Sequence, residues 1–100
     1  MNLLLYGTQD SFSGKVAWHN PKLYDGTYDP VVLEEWVRGM VKIFTVVEVP
    51  EERKANIETY YLTGEADIWW NTIKDMLVGS EFTWSKFLSE LRAKFYLVLV

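Results

Sequence analysis

The chain has 100 residues, 49% hydrophobic and 16% aromatic, with no low-complexity tract and no internal repeat; this supplies one compact core and excludes a disordered chain. Ten basic residues against 14 acidic ones give a formal net charge of -4, and the densest basic points, Arg53-Lys54 and Arg92 with Lys94, sit among carboxylates, so no direct nucleic-acid binding by this chain is expected. Without cysteine there is no disulfide, thiol nucleophile or zinc knuckle, and no run approaches the roughly 20 apolar residues that span a bilayer, so no membrane partner and a cytoplasmic location are expected.

Met1 to Tyr6 is briefly apolar but too short, and lacks the basic flank, for a signal peptide. Residues 7 to 28 carry Gly7, Gly14, Pro21 and Gly26 among scattered polar residues and read as loop or loosely docked arm. Trp18 and Tyr24 stand out there, either packed over a helical core, the simpler expectation, or lining a groove for a partner. Tyr28-Asp29-Pro30 starts a helix: Asp29 is an N-cap that accepts from free first-turn N–H groups, and Pro30 stands at N1, where its missing N–H costs nothing. Tyr28 and Leu33 have the spacing of a hydrophobic staple. Leu33, Trp36, Val37, Met40 and Phe44 form the apolar stripe, with Glu34 and Arg38 an i, i+4 pair on the wet face. From Val41 to Val49 the β-branched run also suits a strand, so the helix is kept to about Phe44, with a short apolar connection to Pro50. Glu51-Glu52 after Pro50 opens a second helix to about Leu62, with Ile57, Tyr60 and Tyr61 off its main stripe, either packed on the first helix or exposed.

The stretch from Tyr61 to Trp70 organises the rest. Ala66, Trp69, Trp70, Ile73 and Leu77 share one helical stripe, and counting backward puts Leu62, Thr59 and Ala55 on the same face. Gly64 is then either a small residue within one long helix or a break between two. A mid-helix glycine costs about 1 kcal/mol against alanine, and glycine supplies left-handed backbone, which favours the break. After Gly79-Ser80, Thr83 caps a last helix with Phe82 and Phe87 as a second staple and Trp84, Phe87, Leu88, Leu91 and Phe95 as the buried face. Helices are thus expected over about 30–44, 51–62, 65–78 and 84–95, with Trp36, Leu62, Trp69, Ile73, Phe87 and Leu91 in one core. Leu97-Val98-Leu99-Val100 is an apolar tail that must pack or pair.

Catalytic chemistry has little to stand on. His19, the single histidine, lies in the irregular N-terminal region; Asp25-Gly26-Thr27 has turn composition; and Glu34-Glu35 and Glu51-Glu52 are neighbours that a helix points apart. No phosphate-cradling glycine loop or zincin motif occurs. No catalytic residue, cofactor site or metal ligand is singled out, and an enzyme is not expected.

The order of signals carries more than any one of them. Asn20-Pro21-Lys22-Leu23-Tyr24-Asp25-Gly26, Asp29-Pro30, Leu33 to Val37, Tyr61-Leu62-Thr63-Gly64-Glu65-Ala66 with Trp69-Trp70, Thr83-Trp84 with Phe87, and Lys94-Phe95-Tyr96 together resemble the Gag domain of Ty3/Gypsy-type retrotransposons, plant-type members in particular. The resemblance spans about residues 20 to 96. It implies an all-α, retroviral-capsid-like N-terminal lobe, a small orthogonal bundle of about four helices, here with an irregular N-terminal arm over 1–19 and the apolar tail over 97–100. The neuronal Arc protein keeps this fold in its N-lobe. Leu97 stands where the family pattern expects proline, and a second capsid lobe and a Cys/His knuckle would follow in that family; the expectation is therefore a fragment lacking both.

The implied function is structural: protein–protein self-assembly of a retrotransposon particle, with itself or other Gag chains as partners. The alternative is a domesticated single lobe that takes a short peptide in an apolar groove lined by Tyr24, Trp36, Met40 and Tyr61, for which plain core packing is the competing explanation. The residues that carry the resemblance in the core are Leu62, Gly64, Ala66, Trp69, Trp70, Trp84 and Phe87.

Overall fold

The computed structural model describes residues 11–77 and 82–96, and among these five α-helices follow in order: α1 (Ser11–Trp18), α2 (Pro30–Val47), α3 (Glu51–Thr59), α4 (Gly64–Ile73) and α5 (Trp84–Phe95), with one 3-10 turn at Lys74–Met76. The fold is all-α, as a small capsid-like lobe requires.

The cap at the start of α2 forms as the sequence dictates. Asp29 is extended (φ -146°) and its carboxylate accepts from the Val31 N–H at 2.9 Å, with Pro30 in the first turn. Leu33, Trp36, Val37, Met40 and Phe44 are all buried. The helix continues one turn beyond Phe44, because Val47 still reaches the core and Thr45 satisfies its hydroxyl by donating to the Val41 carbonyl. It stops at Glu48, whose left-handed backbone (φ 59°) turns its N–H back to the Phe44 and Thr45 carbonyls. Glu34 does not form its expected surface pair with Arg38; it bonds across the fold to Arg92 of α5. Tyr28 tilts onto the Phe95 ring at 5.3 Å.

The N-terminal region departs from the irregular arm expected over residues 7 to 28. Ser11–Trp18 is helical and packs on α2, with Val16 fully buried and Phe12 against the core. Gly14 sits inside α1 with open space around its Cα, so it costs helix propensity without breaking the helix. Burial of Val16 and Phe12 outweighs that cost. Trp18 does not pack over the core; it is 82% exposed, whereas Tyr24 is 1% exposed.

Helix α3 ends at Thr59, three residues before the expected Leu62, and Ile57, read as off the stripe, is buried. Tyr60 is 78% exposed. The helix pair does break before Gly64: Thr63 is extended (φ -142°, ψ 174°), Gly64 is left-handed (φ +54°), and α4 starts there. Trp69 and Trp70 are half-buried on the core rim, Trp69 edge-on to Phe95 at 5.4 Å and Trp70 edge-on to Phe87 at 5.4 Å. Ile73 is a correction: it lies at the end of α4, only partly buried and apart from the core cluster, because the chain tightens into the 3-10 turn and Leu77 takes the buried position. In α5 the Thr83 hydroxyl accepts from the Lys86 N–H at 3.0 Å, and Phe87, Leu88, Leu91 and Phe95 are buried. Phe82 and Phe87 meet across the Trp70 ring. The helix expected over 65–78 thus ends at Ile73 and gives way to the 3-10 turn, while residue 78 and the tail 97–100 fall outside the described residues.

Candidate functional site

The two sequence stretches that carry most of the pattern, Asn20 to Gly26 and Tyr61 to Ala66, meet in space. Tyr24 bridges to Leu62 in parallel fashion: the Tyr24 N–H donates to the Tyr61 carbonyl and the Thr63 N–H to the Tyr24 carbonyl, both at 2.9 Å. The Ala66 N–H, in the first turn of α4, donates to the Asp25 carbonyl at 3.3 Å. Asp25 closes its own turn by accepting from the Thr27 N–H (2.9 Å) and hydroxyl (2.6 Å), bonds that hold its carboxyl below its ordinary range. Gly26 is left-handed (φ +96°) and buried, with space for no side chain: a Cβ there would lie 2.9 Å from the Ala66 nitrogen and 3.0 Å from the Phe95 ring. The break before Gly64 therefore frees backbone N–H and C=O groups that the 20–27 segment satisfies.

Of the four residues predicted to line a groove, three are brought together and mostly buried. Tyr24 stacks on Trp36 with ring centroids 5.4 Å apart, and Met40 lies one turn further along α2; all three belong to the core cluster. Burial pushes the Tyr24 phenol up to about 12, and its hydroxyl donates to the Thr27 carbonyl at 2.7 Å. The Trp36 indole N–H donates to the Lys22 carbonyl at 2.9 Å, which ties the 20–27 segment to α2. Above this layer is a groove of about 210 Å³ lined by Pro21, Trp36, Gly39, Met40 and Ile43, with Lys22 and Glu35 at its edge. Tyr61 does not share it. It lies with Tyr60 and Ile57 along a separate concavity of about 420 Å³ whose other wall is Ser13, Gly14 and Ala17 of α1. Leu62 and Ala66 are buried core, Gly64 makes the break, Trp69 and Trp70 rim the core at Phe95 and Phe87, and Trp84 rims it at Phe44.

Two polar clusters were missed by sequence reasoning. Arg92 grips Glu34 through two bonds, at 2.8 and 2.9 Å, and the Tyr96 hydroxyl donates to the same carboxylate. The Arg92 guanidinium beside Glu34 holds that carboxyl below its ordinary value despite partial burial. The second is Glu58 of α3, fully buried, which accepts from the Trp84 indole N–H at 2.7 Å while Lys54 lies 4.6 Å over the Trp84 ring. Its signal was present: Glu58 stands three residues after Ala55 and four before Leu62, on the very face expected to be buried. The Glu34–Arg92 pairing spans 58 residues and has no local signal. Among the described residues no group of three or more His, Asp or Glu side chains is arranged to hold a metal ion, and no helix is long and apolar enough to cross a membrane.

Exposed apolar side chains complete the surface: besides Trp18 and Tyr60, Leu23, Val31, Val46, Ile68 and Met76 are exposed. The sequence matches, over residues 19–96, the family model described as retrotransposon-derived protein PEG10, N-terminal capsid-like domain. No curated protein and no solved structure matches the chain. The matched range takes in α2 to α5 and the 20–27 segment and leaves α1 before it.

Proposed function

This chain belongs to the family of the retrotransposon-derived PEG10 N-terminal capsid-like domain, and on that premise we propose that it works as a structural contact module that associates weakly with further copies of itself or with other Gag chains. One observation carries the proposal beyond the family: large apolar side chains stand in water beside the α1–α3 concavity, Tyr60 on its wall and Trp18 directly after Ala17 on the other side. Water-exposed rings of this size cost free energy that a contact recovers. The test is the double variant Trp18→Ser, Tyr60→Ser, neither of which removes core burial. Light scattering over a concentration series should show the wild type growing in apparent mass and the double variant staying monomeric. Equal curves would defeat this choice of surface.

A second reading keeps the lobe but makes it a receptor for a short apolar peptide. Its support is the groove over Trp36, Met40 and Ile43, open to solvent yet floored by core side chains. Gly39 leaves its wall bare, with nothing within 4 Å of a Cβ built there. A Gly39→Leu variant, which fills the groove from an exposed helix position, should abolish peptide binding and leave self-association untouched.

A further inference from the structure

Glu58 is the buried polar side chain that nothing else in the fold explains. It sits on α3 where that helix packs on α5 and is 0% exposed. One carboxyl oxygen accepts from the Trp84 indole N–H at 2.7 Å; the other, Oε2, has no hydrogen-bond partner among the described residues. A carboxylate needs donors on both oxygens, or a cation, to persist away from water.

The charges around it do not supply this. On α5 the acting cation is Arg92, but both its bonds go to Glu34 of α2, which shares the Tyr96 hydroxyl as well. On α3 itself Lys54, one turn earlier, pairs with Glu51 at 3.0 Å and covers the Trp84 face. The indole is a donor with no charge. Glu58 is thus accommodated as the neutral acid, and burial pushes its carboxyl up to about 8, against the smaller opposing pulls of Trp84 and Arg92.

We propose that Glu58 is a proton-controlled latch: as the neutral acid it closes the seam between α3 and α5 against Trp84, and loss of its proton opens that seam. Two routes relieve the new charge. Arg92 leaves Glu34 for Glu58, or α3 lifts and lets water reach the carboxylate; both break the closed arrangement of Glu58, Trp84, Arg92 and Glu34. The direction follows from linkage. A group whose folded pKa lies above its unfolded value stabilises the closed form fully below the unfolded value, 4.5, and loses that stabilisation as pH rises toward about 8. Opening should therefore become about tenfold more favourable per pH unit across that window and level off above it.

The latch is tested on the wild-type chain by NMR between pH 5 and 9.5 at a concentration where it is monomeric. The Glu58 carboxyl carbon and the Trp84 indole N–H should titrate together with a midpoint near 8. Amide protection in α3, corrected for intrinsic exchange, should fall about tenfold per pH unit up to that midpoint, while the core of α2 stays protected. Glu58→Gln, which keeps an acceptor for Trp84 but cannot ionise, should flatten the α3 profile. A Glu58 carbon that titrates near 4.5, a Trp84 N–H indifferent to pH, or loss of protection uniform over all helices would each overturn the proposal. The wild-type titration decides the matter even if the glutamine variant does not fold.

Discussion

Gly26→Ala isolates the junction on which the fold is assembled. The new methyl would sit 2.9 Å from the Ala66 nitrogen, 3.0 Å from the Phe95 ring and 3.1 Å from the Glu65 Cβ, while φ at that residue is +96°. The ring can turn aside, but the Ala66 N–H is in the first turn of α4 and donates to the Asp25 carbonyl, so either that bond lengthens or the 20–27 segment lifts. A non-glycine residue held in left-handed or more extreme positive-φ backbone costs about 1 to 3 kcal/mol, and forcing a methyl into close-packed space about 1 to 3 kcal/mol more. The expected loss is therefore about 2 to 6 kcal/mol, a large share of the stability of a domain this size. Urea unfolding followed by far-ultraviolet circular dichroism measures it, with an unchanged m-value as the sign that only stability has moved. A loss below about 1 kcal/mol would mean that the 20–27 segment rests loosely on α4 and that the parallel bridge is not a structural element.

Gly39→Ala is the converse case: it is mid-helix, exposed and sterically open, so the same unfolding assay should show a gain of about 0.5 to 1 kcal/mol. Trp69→Ala removes a half-buried ring packed edge-on against Phe95 and should cost about 2 to 3 kcal/mol, less than a fully buried aromatic; a cost near zero would make Trp69 a surface residue. Glu34→Gln should lower stability at neutral pH and leave it unchanged at acid pH, because the Arg92-paired carboxyl has a lowered pKa and its contribution is present above the unfolded value and lost as pH falls through the folded one; for a pair this exposed the effect is no more than about 1 kcal/mol. Glu58 acts with the opposite sign between 4.5 and about 8, so wild-type melting temperature should fall from mildly acidic to alkaline pH and Glu58→Gln should reduce that fall.

Local chemistry was legible where one residue suffices to make it. Asp29 and Thr83 cap as their positions dictate, Pro30 opens α2, and Gly64 marks the break. The periodic stripes of α2 and α5 gave their buried faces, though Trp84 is only partly buried and α2 overruns its expected end by a turn. What failed depends on tertiary contact. The helical state of Ser11–Trp18 rests on docking Val16 and Phe12 rather than on propensity, and the exposure of Trp18 follows from the way that helix faces α2. Ile73 fits the helical period of the stripe but sits where the chain tightens toward Lys74–Met76. Of the four residues expected to line one groove, Tyr24, Trp36 and Met40 are together, chiefly as core, and Tyr61 lies on another face. The buried Glu58 was hidden by its charge, since a glutamate in a polar nine-residue helix is read as solvated unless its place between Ala55 and Leu62 is counted.

The central claim, a capsid-like lobe that works by weak contact between copies, is met most directly by sedimentation equilibrium of the wild-type chain from about 10 μM to about 1 mM. The weight-average mass should start at the 11.7 kDa of one chain and rise smoothly with concentration, with a dissociation constant above about 10 μM, corresponding to less than about 7 kcal/mol of association free energy. A mass that holds at one chain to the top of that range would contradict the assembly account and turn attention to the groove over Trp36 and Met40.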